Sequence, residues 1–155
     1  MYVADGDNQL IRVYDSKGTL LKSFGGPGSG PGQLAYPNGL AVDEEKGLVY
    51  VADFGNSRIQ VFDLDGQVKQ IIGPEAGFES PRSLAWDKKR GLLYVCDIFN
   101  DRILILDRQG RHWREISATG RDNDYLHYPT GVFLQGKKLF VADRENNRVA
   151  VFQTE

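Results

Sequence analysis

The segment Val51-Ala52-Asp53-Phe54-Gly55-Asn56-Ser57-Arg58-Ile59-Gln60-Val61-Phe62-Asp63 occurs four times in variant form, and this constrains the fold more than any other feature. It begins again at Val3, at Val95 and at Val141, with leading aspartates Asp5, Asp53, Asp97 and Asp143 spaced 48, 44 and 46 residues apart. Self-similarity at that period belongs to propellers and solenoid arrays, in which one supersecondary unit is stacked repeatedly. Each unit reads as four short strands. In the best-formed one, Gly39-Leu40-Ala41-Val42-Asp43 is the first and Leu48-Val49-Tyr50-Val51-Ala52-Asp53 the second. Arg58-Ile59-Gln60-Val61-Phe62-Asp63 is the third and residues 67–72 the fourth, after a tight Asp63-Leu64-Asp65-Gly66 hairpin in which glycine supplies positive φ. Short β-rich runs punctuated by Gly, Asp and Asn every 8–12 residues are an all-β pattern, and no window carries sustained helical spacing.

The crossings between units end at Pro37, Pro81 and Pro129, each preceded three residues earlier by an apolar side chain: Leu34, Phe78 or Leu126. These are expected to plug the gap between neighbouring units. Trp86, Trp113, Tyr50, Tyr94 and Phe140 lie within strand patterns and are expected to pack between units. The glycine-rich stretch Gly25-Gly26-Pro27-Gly28-Ser29-Gly30-Pro31-Gly32 falls at a crossing and reads as a longer loop. The first unit begins at its second strand and the last ends at its third, giving 14 expected strands. The expected units are a partial blade over 1–25, blades over 38–73 and 82–118, and a partial blade over 130–153. A closed ring takes 4–8 four-stranded blades. The expectation is therefore an incomplete all-β propeller: either an arc of a longer ring, or a ring completed by another copy of the chain.

The pattern Val-Ala-Asp-x-x-Asn-x-Arg-Ile-x-Val-Phe-Asp-x-x-Gly, preceded by Pro-x-Gly-Leu-Ala-Val-Asp, resembles the NHL repeat over essentially the whole chain. That family forms β-propellers of four-stranded antiparallel blades, commonly six. Two departures stand out: Leu10 replaces the arginine of Arg58, Arg102 and Arg148, and Gln135 replaces the aspartate of Asp43 and Asp87.

Repetition also bears on chemistry. A catalytic group is normally present once, whereas Asp, Asn and Arg of the Asp-x-x-Asn-x-Arg pattern return in each unit, so they read as turn and strut residues. Asp5 and Asp63 begin stretches similar to calcium loops, but Ser16 and Pro74 stand where an EF-hand needs its bidentate glutamate. Cys96 fills a slot that is alanine at Ala4, Ala52 and Ala142, with no base in sequence reach. No catalytic residue, metal ligand or cofactor is expected. The single cysteine precludes an internal disulfide, there is no Asn-x-Ser/Thr acceptor, and a reducing, cytoplasmic compartment is favoured. Met1-Tyr2-Val3-Ala4-Asp5 has no signal-peptide character, and no apolar run approaches a membrane span.

The side chains that vary from unit to unit carry whatever specificity exists. The loops expected to share one propeller face hold Phe54, Phe99, Arg82, Arg121, Tyr125, His127, Tyr128 and Arg144, the candidate partner-binding residues. The resemblance implies a non-catalytic binding or scaffold module with a protein partner and, for an incomplete ring, self-association. Residues 141–148 are also similar to a blade of peptidyl-hydroxyglycine amidating lyase, whose metal is held by histidines. Its Pro-His-Ser-Leu motif reads here as Pro129-Thr130-Gly131-Val132 or Pro81-Arg82-Ser83-Leu84, without the histidine. RNA binding, a third implication of the family, wants a basic face. Net charge is −2 and Glu79, Asp122, Asp124 and Glu145 balance the loop arginines, so nucleic acid is disfavoured.

Overall fold

The computed structural model describes residues 1–116 and 125–154. Its strands are β1 (Tyr2–Asp5), β2 (Leu10–Tyr14), β3 (Leu20–Gly25), β4 (Pro37–Asp43), β5 (Leu48–Asp53), β6 (Arg58–Asp63) and β7 (Val68–Ile72). They continue as β8 (Pro81–Asp87), β9 (Leu92–Asp97), β10 (Arg102–Asp107), β11 (His112–Ile116), β12 (Pro129–Gln135), β13 (Lys138–Asp143) and β14 (Arg148–Gln153). These form four antiparallel meanders: β1-β2-β3, β4-β5-β6-β7, β8-β9-β10-β11 and β12-β13-β14. The architecture is that of β-propeller blades in an unclosed array. No helix among the described residues is long and apolar enough to cross a membrane.

Alternation places one apolar row of each strand on either face of its sheet. In the two middle sheets both faces are covered, so β5 and β9 are buried almost end to end. Three apolar clusters result, one between each consecutive pair of sheets. Ile11 and Phe24 meet Val49, Val51 and Phe62; Tyr50, Ile59 and Val61 meet Leu93, Val95 and Leu104; Cys96, Ile103 and Ile105 meet Leu139 and Val141. Leu34, Phe78 and Leu126 insert one into each cluster. Burying such a side chain stabilises by about 1.5–3 kcal/mol, so each crossing residue acts as an inter-sheet pin. Aromatic pairs span two of the seams: Phe24 with Phe62 at 5.0 Å and Tyr50 stacked on Trp86 at 5.1 Å.

The first strand of each meander packs against the first strand of its neighbours, β4 on β8 and β8 on β12, which puts these strands at the hub. The approach is closest at Gly39, where a Cβ would lie 2.4 Å from the Arg82 carbonyl oxygen. At the end of the strands away from the Asp-x-x-Asn turns, Arg108 leaves the β10–β11 hairpin to pair with the buried Asp43 at 2.9 Å, and its guanidinium lies 5.2 Å from the Trp86 ring centroid. Burial in the same seam pushes the Tyr50 hydroxyl up to about 12.

Two aromatics depart from expectation: Phe140 is half-buried beside Phe133 of its own sheet and joins none of the three inter-sheet clusters, and Trp113 is exposed. Trp113 is 68% exposed rather than packed between sheets. The β10–β11 register skips it: Leu106 pairs with His112 and Ile105 with Arg114. The same one-residue bulge leaves Leu21 unpaired between β2 and β3 and Lys69 between β6 and β7. A bulge breaks the alternation locally, so the outer strand of each of these sheets turns one side chain outward at that point.

Candidate functional site

Each aspartate that ends a second strand anchors a loop junction. Asp53 is fully buried and accepts from the Ala35 amide at 2.7 Å, from Asn56 Nδ2, from Arg58 Nε at 2.7 Å and from Gln60 Nε2 at 3.1 Å. Asp97 accepts from the Glu79 amide, Asn100 and Arg102, and Asp143 from the His127 amide, Asn146 and Arg148. The asparagine and arginine then reach on to carbonyls of the crossing: Gly28, Ser29, Gly30 and Gln33 in one sheet, Ala76 and Gly77 in the next, Tyr125 in the last. Burial raises the Asp143 carboxyl, but the hydrogen bonds from the His127 amide, Asn146 and Arg148 outweigh it and hold the group below the ordinary carboxylate range. These triads are structural knots tying crossing to turn.

The first sheet solves the same problem differently. Leu10 stands where the others have arginine, and Arg12, two residues on, pairs through Nε with Asp5. Strand alternation puts both positions on one side of β2, so the guanidinium reaches the same carboxylate from the next slot along.

The knots bring the second-to-third-strand turns and the crossings together at one end of the sheets. Gly55 N–H donates to Ala35 O at 2.8 Å and Glu145 N–H to His127 O at 3.1 Å. After each Asn one residue adopts left-handed φ: Gln9, Ser57, Asp101 and Asn147. Tyr36, Ser80 and Tyr128, each immediately before a crossing proline, do the same. Left-handed backbone at a bulky residue is strained and persists only where the surroundings over-determine it. For Tyr128 the surroundings include a 2.6 Å hydrogen bond from its amide to Asp101 Oδ1 of the preceding sheet.

That bond assembles a surface group. The Tyr128 ring meets the Phe99 ring edge-on, with centroids 5.6 Å apart and planes at 69°. Arg144 lays its guanidinium 5.2 Å from the Tyr128 centroid. Phe99 remains 50% exposed and Arg144 is exposed. His127 and Tyr125, both exposed, flank the group from the same crossing, their backbones held by Asp143, Asn146 and Arg148. Of the residues singled out in the sequence, Phe99, Tyr128 and Arg144 are therefore in contact, with Tyr125 and His127 beside them. Phe54 sits half-buried in the equivalent turn one sheet earlier, and Arg82 is half-buried at the start of β8. Arg121 lies outside the described residues. One contributor was not singled out: Asp101, which fixes Tyr128. Tyr36 is 62% exposed on the equivalent crossing. Position within the turn was the available signal. Phe54 shares its slot with the buried Ile98, whereas Phe99 is one residue further along and points out.

Cys96 is buried and its Sγ contacts the Pro129 carbonyl; burial pushes the thiol up to about 12, so it carries no thiolate near neutrality. Among the described residues no group of three or more His, Cys, Asp or Glu side chains is placed to hold a metal ion.

A family model described as the NHL repeat matches residues 34–62 and 126–152. Both stretches are NHL repeats. The two matched stretches each hold a second strand, its Asp-x-x-Asn-x-Arg turn and the third strand, together with the Leu34 or Leu126 pin. The chain is 50% identical over 58 residues to lin-41 of Caenorhabditis elegans, covering 36% of this chain and 5% of that protein. It is 41% identical over 69 residues to human NHL repeat-containing protein 3, covering 42% of this chain and 19% of that one. Over 71 residues it is 34% identical to the human E3 ubiquitin-protein ligase NHLRC1, covering 46% of this chain and 18% of the ligase. The matched segments thus span less than a fifth of the length of these relatives.

Proposed function

We propose that this chain is a non-catalytic binding module whose loop face, centred on Phe99, Tyr128 and Arg144, recognises a protein partner. The observation that carries the reading is the fixed stack of two aromatic rings and a guanidinium, half-open to solvent and outside all three inter-sheet clusters. Tyr and Arg dominate binding hot spots because they combine large contact area with directional polar groups. Holding Tyr128 through Asp101 removes ordering cost from the bound state, which raises affinity without adding contacts. Tyr125 and His127 extend the surface along the crossing, with Phe54 and Arg82 as its outlying members; Arg121 is a candidate from the sequence alone. One relative is named an E3 ubiquitin-protein ligase, and a protein-recognition face on the repeats they share is compatible with that name.

The test is selection of a displayed protein-fragment library against the chain, followed by Kd measurement for the enriched fragment. Phe99→Ala, Tyr128→Ala and Arg144→Ala are each expected to weaken binding about tenfold or more, equivalent to about 1.4 kcal/mol. Leu64→Ala, in a hairpin at the opposite end of the strands, is expected to leave Kd within about twofold, the ordinary scatter of near-neutral contacts. Unchanged affinity in all three loop-face variants would overturn the assignment. Single-stranded RNA run in parallel separates the nucleic-acid alternative. Salt-sensitive binding that Arg144→Ala abolishes would move the reading to RNA.

A further inference from the structure

The first two crossings between sheets differ in length, and the difference opens a groove. The first runs over residues 26–36 and the second over residues 73–80, three residues shorter. In the first seam the longer crossing fills the outer edge. Arg58 donates to the Ser29, Gly30 and Gln33 carbonyls, and the buried Gln60 accepts from the Gly32 amide and donates to Gln33 O. The third sheet carries Arg102 and Leu104 at the positions of Arg58 and Gln60. Arg102 still ties the crossing down, through Ala76 O and Gly77 O, but Leu104 cannot hydrogen-bond a backbone. The shorter crossing leaves a groove of about 460 Å³ at the outer edge of the second seam. It lies in the interior of the array, between the two four-stranded sheets.

Strand pairing orders the chemistry along this groove. Leu104 and Leu106 form its floor, and opposite them on β11 stand Glu115 and His112, in register with Leu104 and Leu106 respectively. Glu115 shares its end with Glu75 of the crossing and with Arg102, whose Nη1 lies 3.1 Å from it. Arg102 spends its other nitrogens on Asp97 and on the crossing carbonyls. Glu75 is exposed, its Oε1 accepts from the Gly73 amide, and its Oε2 makes no hydrogen bond among the described residues. The Glu75 carboxylate is thus a negative charge available at that end. At the other end lie Gly110, Arg111 and His112. Arg111 gives Nε to Asp107 at 2.7 Å, its side chain is 76% exposed, and its Nη1 makes no bond among the described residues. Two residues of β10 separate the ends, roughly 7 Å of strand. Backbone shuts the groove at both ends. The Glu75–Ala76 turn closes one. At the other the hairpin presses on β7, where Gln70 Nε2 donates to Gln109 O at 2.6 Å and a Cβ on Gly110 would lie 2.7 Å from Ile72.

We propose that this groove binds a small zwitterionic molecule of the ω-amino acid type. Its ammonium pairs with Glu75, its carboxylate with Arg111 and His112, and its aliphatic spacer lies on Leu104 and Leu106. Closed ends favour a finite molecule over a polypeptide passing through. Cavities of a few hundred Å³ with an apolar lining and a few placed polar groups are the usual form of small-ligand sites. Opposite charges at a fixed separation select both the orientation and the length of what fits, so they give discrimination more than raw affinity. The site shares no residue with the loop face.

The probe is ε-aminocaproate, whose extended chain sets its two charges a comparable distance apart. It is titrated into the isotopically labelled 155-residue chain and followed by amide NMR shifts. Saturable shifts are expected at Ala76, Gly110 and His112, with Kd about millimolar. Hexylamine and hexanoate keep the spacer and one charge each. They are expected to bind about threefold to fivefold more weakly, the range of one exposed ion pair. γ-Aminobutyrate, too short to reach both ends, is expected to bind no better than these. Glu75→Gln retains the acceptor for the Gly73 amide. It is expected to bring ε-aminocaproate to the affinity of hexanoate while leaving hexanoate unchanged. Arg111→Gln is expected to do the converse, bringing ε-aminocaproate to the affinity of hexylamine and leaving hexylamine unchanged. Absence of saturable shifts at these amides overturns the proposal. So do equal Kd values for the three equal-length probes, or a loss in either variant that falls on all of them alike.

Discussion

At the scale of single residues, the buried aspartates are where charge and fold are most tightly coupled. Asp53 has no exposure and at least four donors aimed at it. Removing it leaves Arg58 Nε and the Ala35 amide without their acceptor and the Arg58 charge without its counter-ion. Breaking such a pair from one side costs about 3–5 kcal/mol, a large part of the 5–15 kcal/mol that holds a domain of ordinary size. Asp53→Ala is therefore expected to shift the urea midpoint strongly. Asp5→Ala, whose carboxylate is bound by Asn8 and Arg12 near the surface, is expected to shift it much less. The knot at Asp143 also couples stability to pH. Asp143 is held below its ordinary value in the folded chain, so the unfolded chain takes up its proton first as pH falls. Its stabilising contribution is complete above the ordinary carboxylate value near 3.8 and drains away as pH drops through the lower, folded value. Urea unfolding in steps from pH 7 to pH 3 is expected to show a plateau followed by a fall below about pH 4, the ordinary aspartate range. Asp143→Asn is expected to flatten that fall.

At the scale of strands and turns, the hub is the least forgiving element. The β4 and β8 backbones approach so closely at Gly39 that an added Cβ would sit 2.4 Å from the Arg82 oxygen and 2.8 Å from Ser83 Cα, both rigid backbone atoms. Gly131, the β12 glycine two residues after its crossing proline just as Gly39 follows Pro37, leaves 3.6 Å to the nearest atom, the Ala142 Cβ. Gly39→Ala is expected to destabilise by about 1–3 kcal/mol through overpacking, and Gly131→Ala to leave the urea midpoint nearly unchanged. Fourteen strands, their order and the apolar pins were legible from the repeat, because a period of about 46 residues with glycine-marked hairpins admits few other foldings. Trp113 was not. Its exposure follows from a bulge, and a one-residue register shift leaves no mark in an alternating pattern. Nor was the Arg12 substitution legible, since the motif names a slot while the carboxylate is indifferent to which neighbouring slot delivers the guanidinium. The loop face was readable as a set of loops, but only geometry separated Phe99, which joins Tyr128 and Arg144, from the half-buried Phe54.

At the scale of the whole molecule, stability is a sum over sheets and the seams between them, as in other one-dimensional arrays. The second and third sheets each take part in two clusters, the first and fourth in one. Local opening should follow that count, because amides exchange from whichever unit loses fewest apolar contacts on opening. In dilute chain, amides of β5, β6, β9 and β10 are expected to be the slowest to exchange and those of β14 among the fastest. Exchange followed by mass spectrometry reads all of these strands in one experiment, and β5 amides that exchange as fast as those of β14 would contradict the count.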